Sequence, residues 1–556
     1  MNRLVLLLVL TMVTVPLAGR SAVPRLFYSD IDSGPATGGE GGKDGAFVCV
    51  YGENFGEERG HSTIRIGGVP AAAYPLWTDT RSPYQAAYYA KACAQIDHRT
   101  PAGKLILQLI SSAGTSNPLP FTVRPGRIFF VAPKGDDHKG DGSSEKPWQT
   151  IRQCKNKLAP GDICYAKDGS VLRQVENYKA GLVLNSSGKE GEPKAIVAYP
   201  GAAVSVDMSA SPYGRGLESY LDGHSVEYWT IAGLSFNADS FAVEFNRGGH
   251  IRFVDNEVMC KGPHCNGPSA GFHTAGYPGN HGDDSGSVAY LSIYGNRIHD
   301  VGGPRPSKQY HNVYFSTNTN HVWFAWNSVN GNGKACRGIQ FNSTGGQPQF
   351  DLHLHDNVIH DTVCDGINFA SVDPSRGTVE AYNNVIYNAG TGPDPRDGAS
   401  NYTCIYSPGG GDAKGPGGHG TIQIYNNTLF NCGNHPAPKY AGDCGAIIAA
   451  RGWSPNLQLE LTNNIIEQPP RVPYLGLSSS GNISGSHNDC YGAKGGCPKQ
   501  FSESLNVDPG FVNLSGGDFR LSAGSPLRGK GKSAPVPASG HDENGRGAAP
   551  SIGAYE

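Results

Sequence analysis

The chain has 556 residues, 77 of them glycine and 39 proline, and a formal net charge of −3. That length exceeds one ordinary compact domain and asks for several units or a repeat architecture. The near-neutral charge gives no basic footprint for nucleic acid and no polybasic anchor for a membrane, and without a collagen period so much glycine marks a turn-rich folded protein.

At the start, Arg3 precedes an apolar run from Leu4 to Leu17, then the small residues Ala18, Gly19, Ser21 and Ala22. This pattern predicts a signal peptide over 1–22, cleaved within 18–22; the run is short for a signal anchor. No cysteine follows it, which speaks against a lipoprotein anchor. The chain is expected to be secreted or periplasmic, monomeric and free of the membrane after cleavage. Its 13 cysteines are then expected to be mostly disulfides. Cys154/Cys164, Cys260/Cys265 and Cys490/Cys497 suit local bridges, and Cys49/Cys93 fall in one small unit. The odd count leaves a free thiol, for which Cys404 is the expectation.

Residues 24–124 carry short alternating runs bounded by Gly, Asn and Ser: "GAFVCVYGENFG", "TIRIGGVPA", "KLILQLISSAGTSN" and "LPFTVRPG". This is the signature of an all-β sandwich. The segment resembles an IPT/TIG immunoglobulin-like domain, with its "G-x-N-F-G" turn and closing "F-x-V". The resemblance implies a spacer or interaction module.

Residues 127–556 read as one solenoid. "IFFVAPKGDDHKGDGSSEKPWQTIRQCKNKLAPGDICYAKDGSV" resembles the opening of secreted right-handed β-helix proteins, where a capping helix precedes the first coil. Independently, the chain repeats itself: "IRFVDNEVM", "LSIYGNRIHD", "VWFAWNSVN", "LHLHDNVIHD", "VEAYNNVIYN", "IQIYNNTLFN" and "LELTNNIIEQ". The shared Asn falls at 256, 296, 327, 357, 384, 427 and 464, one per coil. Parallel strands stack at about 4.8 Å, so these amides lie above one another and are expected to form a structural ladder. His299, His353, His355 and His360 recur beside it and read as corner residues. The fold class is therefore all-β: a right-handed parallel β-helix solenoid preceded by an immunoglobulin-like β-sandwich. The C-terminal segment resembles the tails that close the last coils of such helices and cover the exposed edge.

A second strand repeats in each coil: "HNVYFST", "RGIQFNS", "DGINFAS", "TCIYSPG" and "GAIIAAR". Its Gly or small residue is expected where the chain turns tightly. Val313, Ile339, Ile367 and Ile405, with Phe315, Phe341 and Phe369, should point inward as core. Cys336 and Cys364 hold the same position one coil apart, within the usual disulfide Cα separation of about 4.4–6.8 Å, which predicts a bridge. The same alternation puts His273, Tyr314, Gln340, Asn368 and Tyr406 in one outward file. His311, Arg337 and Asp365 form a neighbouring file, with Lys308 just before it. Long segments at 261–287, 302–310 and 390–402 should roof this face.

That cluster suits uronate polysaccharides. A lyase must neutralise the sugar carboxylate, remove the C5 proton and help the 4-oxygen leave. Arg337, Gln340 and Asn368 fit the carboxylate, His311 or Lys308 the base, and Tyr314 a base or acid. Asp365 fits an orienting role or Ca²⁺ ligation. His273 and Tyr406 complete the substrate-binding file. The competing reading is an ordinary polar solenoid face.

Other signals are weaker. "GGHG" at 417–420 is similar to the "GHG" of polygalacturonases, but that family's "NTD" and preceding "DD" are missing. "D-P-R-D" at 394–397 is similar to the "D-P-H-D" of alginate C5-epimerases with the His replaced. Pectate lyases of this fold bind Ca²⁺ through clustered acids; here Asp283, Asp284, Asp394, Asp397 and Asp412 are candidate ligands or turn formers. With no paired-carboxylate site visible, the resemblance implies an extracellular, acidic-polysaccharide lyase rather than a hydrolase. A hydrolase or C5-epimerase on the same fold, and a non-catalytic glycan-binding adhesin, remain alternatives.

Overall fold

The computed structural model describes residues 22–556, apart from 79–88, 220–224, 263, 266–268, 278–285, 344–346, 399–400, 409–417, 436–442, 450–455, 477–481, 536, 538 and 542–544. The predicted signal peptide and Asp283, Asp284 and Asp412 lie outside the described residues. Among the described residues no helix is long and apolar enough to cross a membrane.

The solenoid is a right-handed parallel β-helix of three sheets. The first has 13 strands, from Ile128–Val131 to Phe501–Ser502. The second has 10, from Val171–Leu172 to Ile465–Glu467. The third has 10, beginning at Ala180–Leu184 and ending with Asp443–Cys444 and Ile447–Ala449. The helix Ile151–Lys157 covers the first coils. Thr150 caps it by accepting from the Gln153 N–H, and Ile151 and Cys154 are buried beneath it.

The Asn ladder stands at the corner between the first and second sheets. From Asn296 onward each side-chain oxygen accepts from the backbone N–H and side-chain amide of the Asn one coil earlier, and Asn256 Oδ1 accepts from the Leu234 N–H. For Asn357 these distances are 3.0 and 3.1 Å, from Asn327. Each amide donates onward, as Asn357 Nδ2 does to Asn384 Oδ1 at 2.9 Å and to the Phe324 carbonyl at 2.8 Å. All seven expected rungs are buried, and Asn488 adds an eighth. Inward files fill the core: Val313, Ile339, Ile367 and Ile405 are in register and fully buried. Phe315, Phe341 and Phe369 stack with centroids 4.7 and 5.9 Å apart.

The glycines of the third-sheet strands stand where the strand bends: Arg337 and Gln340, on either side of Gly338, and Asp365 and Asn368, on either side of Gly366, bond one another on one face. Gly271, Gly338 and Gly366 do not adopt positive φ. A Cβ on Gly338 would meet the Gly366 carbonyl at 2.5 Å and Ile359 Cγ2 at 2.9 Å; one on Gly366 would meet the Cys404 carbonyl and Ile386 similarly. Glycine is needed here for close approach. The bend also lets residues three apart face the same way, as the site below exploits.

The five predicted bridges form, including Cys336–Cys364 with a Cα separation of 4.7 Å. The free-thiol expectation is corrected: Cys404 pairs with Cys432, and Cys444 is the free cysteine. Cys444 stands in file with Tyr402, so no sulfur lies one coil above it.

The described residues before 127 form a sandwich of a four-stranded and a six-stranded sheet, antiparallel except where Ser33–Gly34 pairs in parallel with Leu119–Val123. It is no detached spacer. Its core is continuous with the outer face of the first solenoid sheet, where Tyr165, Val197, Ala232 and Val254 are buried. Polar ties frame this contact: Tyr51 and Lys91 bond Asp255 Oδ2 at 2.6 and 2.7 Å, and Arg252 Nε donates to the Asp30 carbonyl at 2.9 Å. Gly295, at φ 63°, turns a corner where any side chain would strike Tyr28 of the sandwich.

The C-terminal segment starts on the last coil, where the Val507 N–H donates to Asp489 Oδ1, and runs back along the flank of the coils before it. His541 meets the Asn383 carbonyl, Asn426 donates to the Ser551 carbonyl, and Ala554 and Tyr555 pack on Val385.

Candidate active site on the third sheet

The register predicted for the outward files holds at every step. His273 pairs with Tyr314, Tyr314 with Gln340, Gln340 with Asn368 and Asn368 with Tyr406. His311 pairs with Arg337 and Arg337 with Asp365. At the bend the two files touch within each coil. The His311 and Tyr314 rings stack 4.6 Å apart, Arg337 Nη1 donates to Gln340 Oε1 at 3.0 Å, and Asn368 Nδ2 donates to Asp365 Oδ2 at 2.9 Å.

Arg337 is the hub. Its Nε pairs with Asp365 Oδ2 at 3.1 Å, and Nη1 also donates to the Lys308 carbonyl at 3.1 Å. Among the described residues Nη2 takes no hydrogen-bond partner. His311 is buried, and burial followed by the Arg337 charge pushes its imidazole down to about 3. It is therefore neutral across the physiological range. Burial raises the Asp365 carboxyl in spite of Arg337 and Asn368. Burial, then Asp365, raises Tyr406. Asn368 Oδ1 is buried without a hydrogen-bond partner. Tyr314 accepts at its hydroxyl from Asn342 Nδ2 at 3.1 Å. Lys308 is exposed, and its backbone joins the cluster.

Three residues missed in the sequence extend the site. Glu218 and Glu244 occupy the two rungs before His273 in the same outward file. Arg215 Nη1 lies 3.1 Å from Glu218 Oε2 and 2.7 Å from Glu244 Oε2. Glu244 Oε1 is 3.0 Å from His273 Nδ1, and among the described residues His273 Nε2 has no hydrogen-bond partner. The expectation that this face lacks adjacent carboxylates is thus corrected. Their environments push them apart. Burial, only partly offset by Arg215, lifts Glu218 to about 7. Burial also opposes ionisation of Glu244, but His273 and Arg215 outweigh it and hold its carboxyl below the ordinary range. The sequence carried half of the signal: Leu217-Glu218-Ser219 and Val243-Glu244-Phe245 repeat the in-out-in pattern of Val313-Tyr314-Phe315, which gives the facing of the glutamates but not their register.

Of the segments expected as roofing loops, much is strand: Ser269–Ala275, Ser307–Ser316 and Asn401–Ser407. Two of these segments meet, 302–310 and 390–402, for the Arg396 N–H donates to the Pro306 carbonyl and Asp397 accepts from the Ser307 hydroxyl at 2.7 Å, while much of 261–287 lies outside the described residues. Asp397 also takes the Lys308 N–H at 2.9 Å, and Asp394 takes the Tyr402 hydroxyl. Both acids organise these loops. The corner histidines pair with carboxylates, His299 with Asp300 and Glu257, His353 with Glu380 and Asp351, His355 with Asp356, and His360 with Asp361. Among the described residues the one three-ligand cluster suited to a metal is Asp44, Asp97 and His98 in the sandwich, where Arg99 already occupies Asp97.

No family model and no curated protein matches the chain. Solved structures similar to it include the pectate lyase Pel9A, at 16% identity and TM-score 0.46, covering 78% of this chain and 96% of that one. A rhamnogalacturonan lyase follows at 13% identity and TM-score 0.42, covering 70% and 91%, and XylC in complex with xylose at 8% and 0.40, covering 77% and 98%. At these identities the likeness is one of fold alone.

Proposed function

We propose that this chain is a secreted polysaccharide lyase that cleaves a uronic-acid-containing glycan by β-elimination on the outer face of the third sheet. One observation carries the reading: a Glu244–His273 dyad stands in file with Tyr314, on the same face as the Arg337 hub two coils further on. Arg337 Nη2, with Gln340 and Asn368, takes the sugar carboxylate and stabilises the charge that develops when C5 loses its proton. His273 Nε2 removes that proton. Glu244 holds the opposite ring N–H, fixing the tautomer and stabilising the imidazolium. The C5–H electrons form the C4=C5 bond, the C4–O4 bond breaks, and the Tyr314 hydroxyl protonates O4. His311, too readily deprotonated to serve as a poised base, positions Tyr314 and Arg337, and Asp365 orients Arg337. Lys308 and Tyr406 contact the polymer on either side, and the sandwich is an IPT/TIG-type domain.

The Glu218/Glu244 pair favours hydrolysis as a second reading, since unequal carboxyls are what a hydrolase needs. Against it, Arg215 already bridges the two. A panel of acidic glycans separates the readings. Ultraviolet absorbance of the C4=C5 product marks a lyase, and new reducing ends without absorbance mark a hydrolase. Binding without product marks an adhesin and refutes both.

A further inference from the structure

A groove of about 460 Å³ opens between the sandwich and the outer face of the first sheet, on a different side of the solenoid from the third sheet. One rim is a file of rings. Tyr228, His250, Tyr290 and His321 stack with centroids 4.3, 4.6 and 4.4 Å apart and planes within 10° of parallel. All four have left-handed backbones, with φ between 53° and 58°. Ring residues adopt that conformation at a cost that Gly, Asn or Asp mostly avoids. At the far end of the same four strands the left-handed corner is held by Gly233, Asp255 and Gly295, with a ring residue, Trp326, only in the fourth. A local rule broken in four successive coils marks a surface kept for a purpose. Because the rings cover each other's faces, Tyr228, His250 and Tyr290 offer the groove their edges, two phenol hydroxyls on either side of an imidazole, while His321 closes the stack with its Nδ1 held by Asp351. Tyr290 is 44% exposed.

The floor is the outward file Thr230, Arg252, Ser292 and Trp323. Trp323 stacks one face on His353, centroids 5.0 Å apart. Its file neighbour on the other side is the short Ser292, so the second indole face is open to the groove. The sandwich supplies the opposite wall, with Asp32, Lys104 and Thr122. Arg252 is spent on the Asp30 and Ser29 carbonyls. The charges left, Asp32 and Lys104, are opposite in sign.

We propose that this groove is an ancillary site for an uncharged stretch of polysaccharide, one sugar stacking on Trp323 and its neighbours hydrogen-bonding the ring edges and wall hydroxyls. An aromatic face beside a few convergent polar groups in a concavity is what such a ligand needs, and the balanced charge selects against a polyuronate. Four coils span about 14 Å, room for a short oligosaccharide. The inference does not depend on the reaction at the third sheet.

The test is calorimetric titration of the full chain with xylohexaose, cellohexaose, mannohexaose and hexagalacturonate, with tryptophan fluorescence alongside. At least one neutral hexaose is expected to bind and to shift the emission. Trp323→Ala should weaken binding at least tenfold. Ser292→Phe, which fills the space over the indole without removing it, should do the same, with the far-ultraviolet dichroism of both variants unchanged. Failure of every neutral hexaose at millimolar concentration, preference for hexagalacturonate in this groove, or binding that survives both substitutions would overturn the proposal.

Discussion

Replacing Asn357 with alanine tests the register on which the site depends. Asn357 is fully buried, and its oxygen accepts from both the backbone N–H and the side-chain amide of Asn327. Asn384 Oδ1 keeps the Asn357 backbone N–H as donor, at 3.1 Å, so the loss falls mainly on Asn327. Two buried donors are stranded, each costing about 1–3 kcal/mol, which sums to about 4 kcal/mol. A water entering the vacated space would lower this toward ~2 kcal/mol. The same coil continues into Asp365–Phe369, so Asp365 and Asn368 lose their anchorage as well. The assay is the guanidinium unfolding midpoint, paired with hydrogen exchange of amides 352–369, which should open before those of the sandwich. A cost below about 1 kcal/mol, with protection unchanged, would refute the claim that the ladder holds the register.

Other outcomes are open to direct measurement. His273→Ala and Glu244→Gln should each lower kcat on the cleaved glycan by about 10²–10⁴-fold, the usual weight of a positioned base, with Tyr314→Phe comparable; normal turnover in His273→Ala and Tyr314→Phe rejects the centre. Glu218, lifted to about 7 by burial, binds its proton more tightly folded than unfolded. Its contribution to stability therefore falls as pH rises from the ordinary glutamate range to about 7, and Glu218→Gln should flatten that decline in unfolding midpoints taken between pH 5 and 8. Thiol titration of the unreduced, denatured chain should find one thiol, Cys444, and Cys404→Ser should raise the count by freeing Cys432. Losing that bridge, which spans 28 residues, should cost about 3–4 kcal/mol.

The files of the third sheet were legible because period-2 alternation and one Asn per coil together set both face and register. From Asn256 onward each coil carries its own alignment mark. The coils of Glu218 and Glu244 precede that first rung, so nothing in the sequence aligned them with His273, and the dyad emerged only in three dimensions. Cys404–Cys432 was hidden for another reason. Cys336 and Cys364 share one file, whereas Cys432 sits past a second-sheet strand, at a different corner from Cys404, though the sequence offset is the same 28 residues. The docking of the sandwich was unreadable as well: runs such as "ICYA" and "AIVA" say that a strand is buried on both sides, but not what covers its outer side.

That covered sheet changes how the protein tolerates mutation. Most outward positions of the solenoid strands meet solvent, but Tyr165, Val197, Ala232 and Val254 face outward into the seam with the sandwich and are buried. A lysine or aspartate at any of them should be as damaging as one in the barrel's interior. Deleting the sandwich would bare this strip to water, leaving a solenoid prone to self-association, so the two units are expected to be exportable only as a pair.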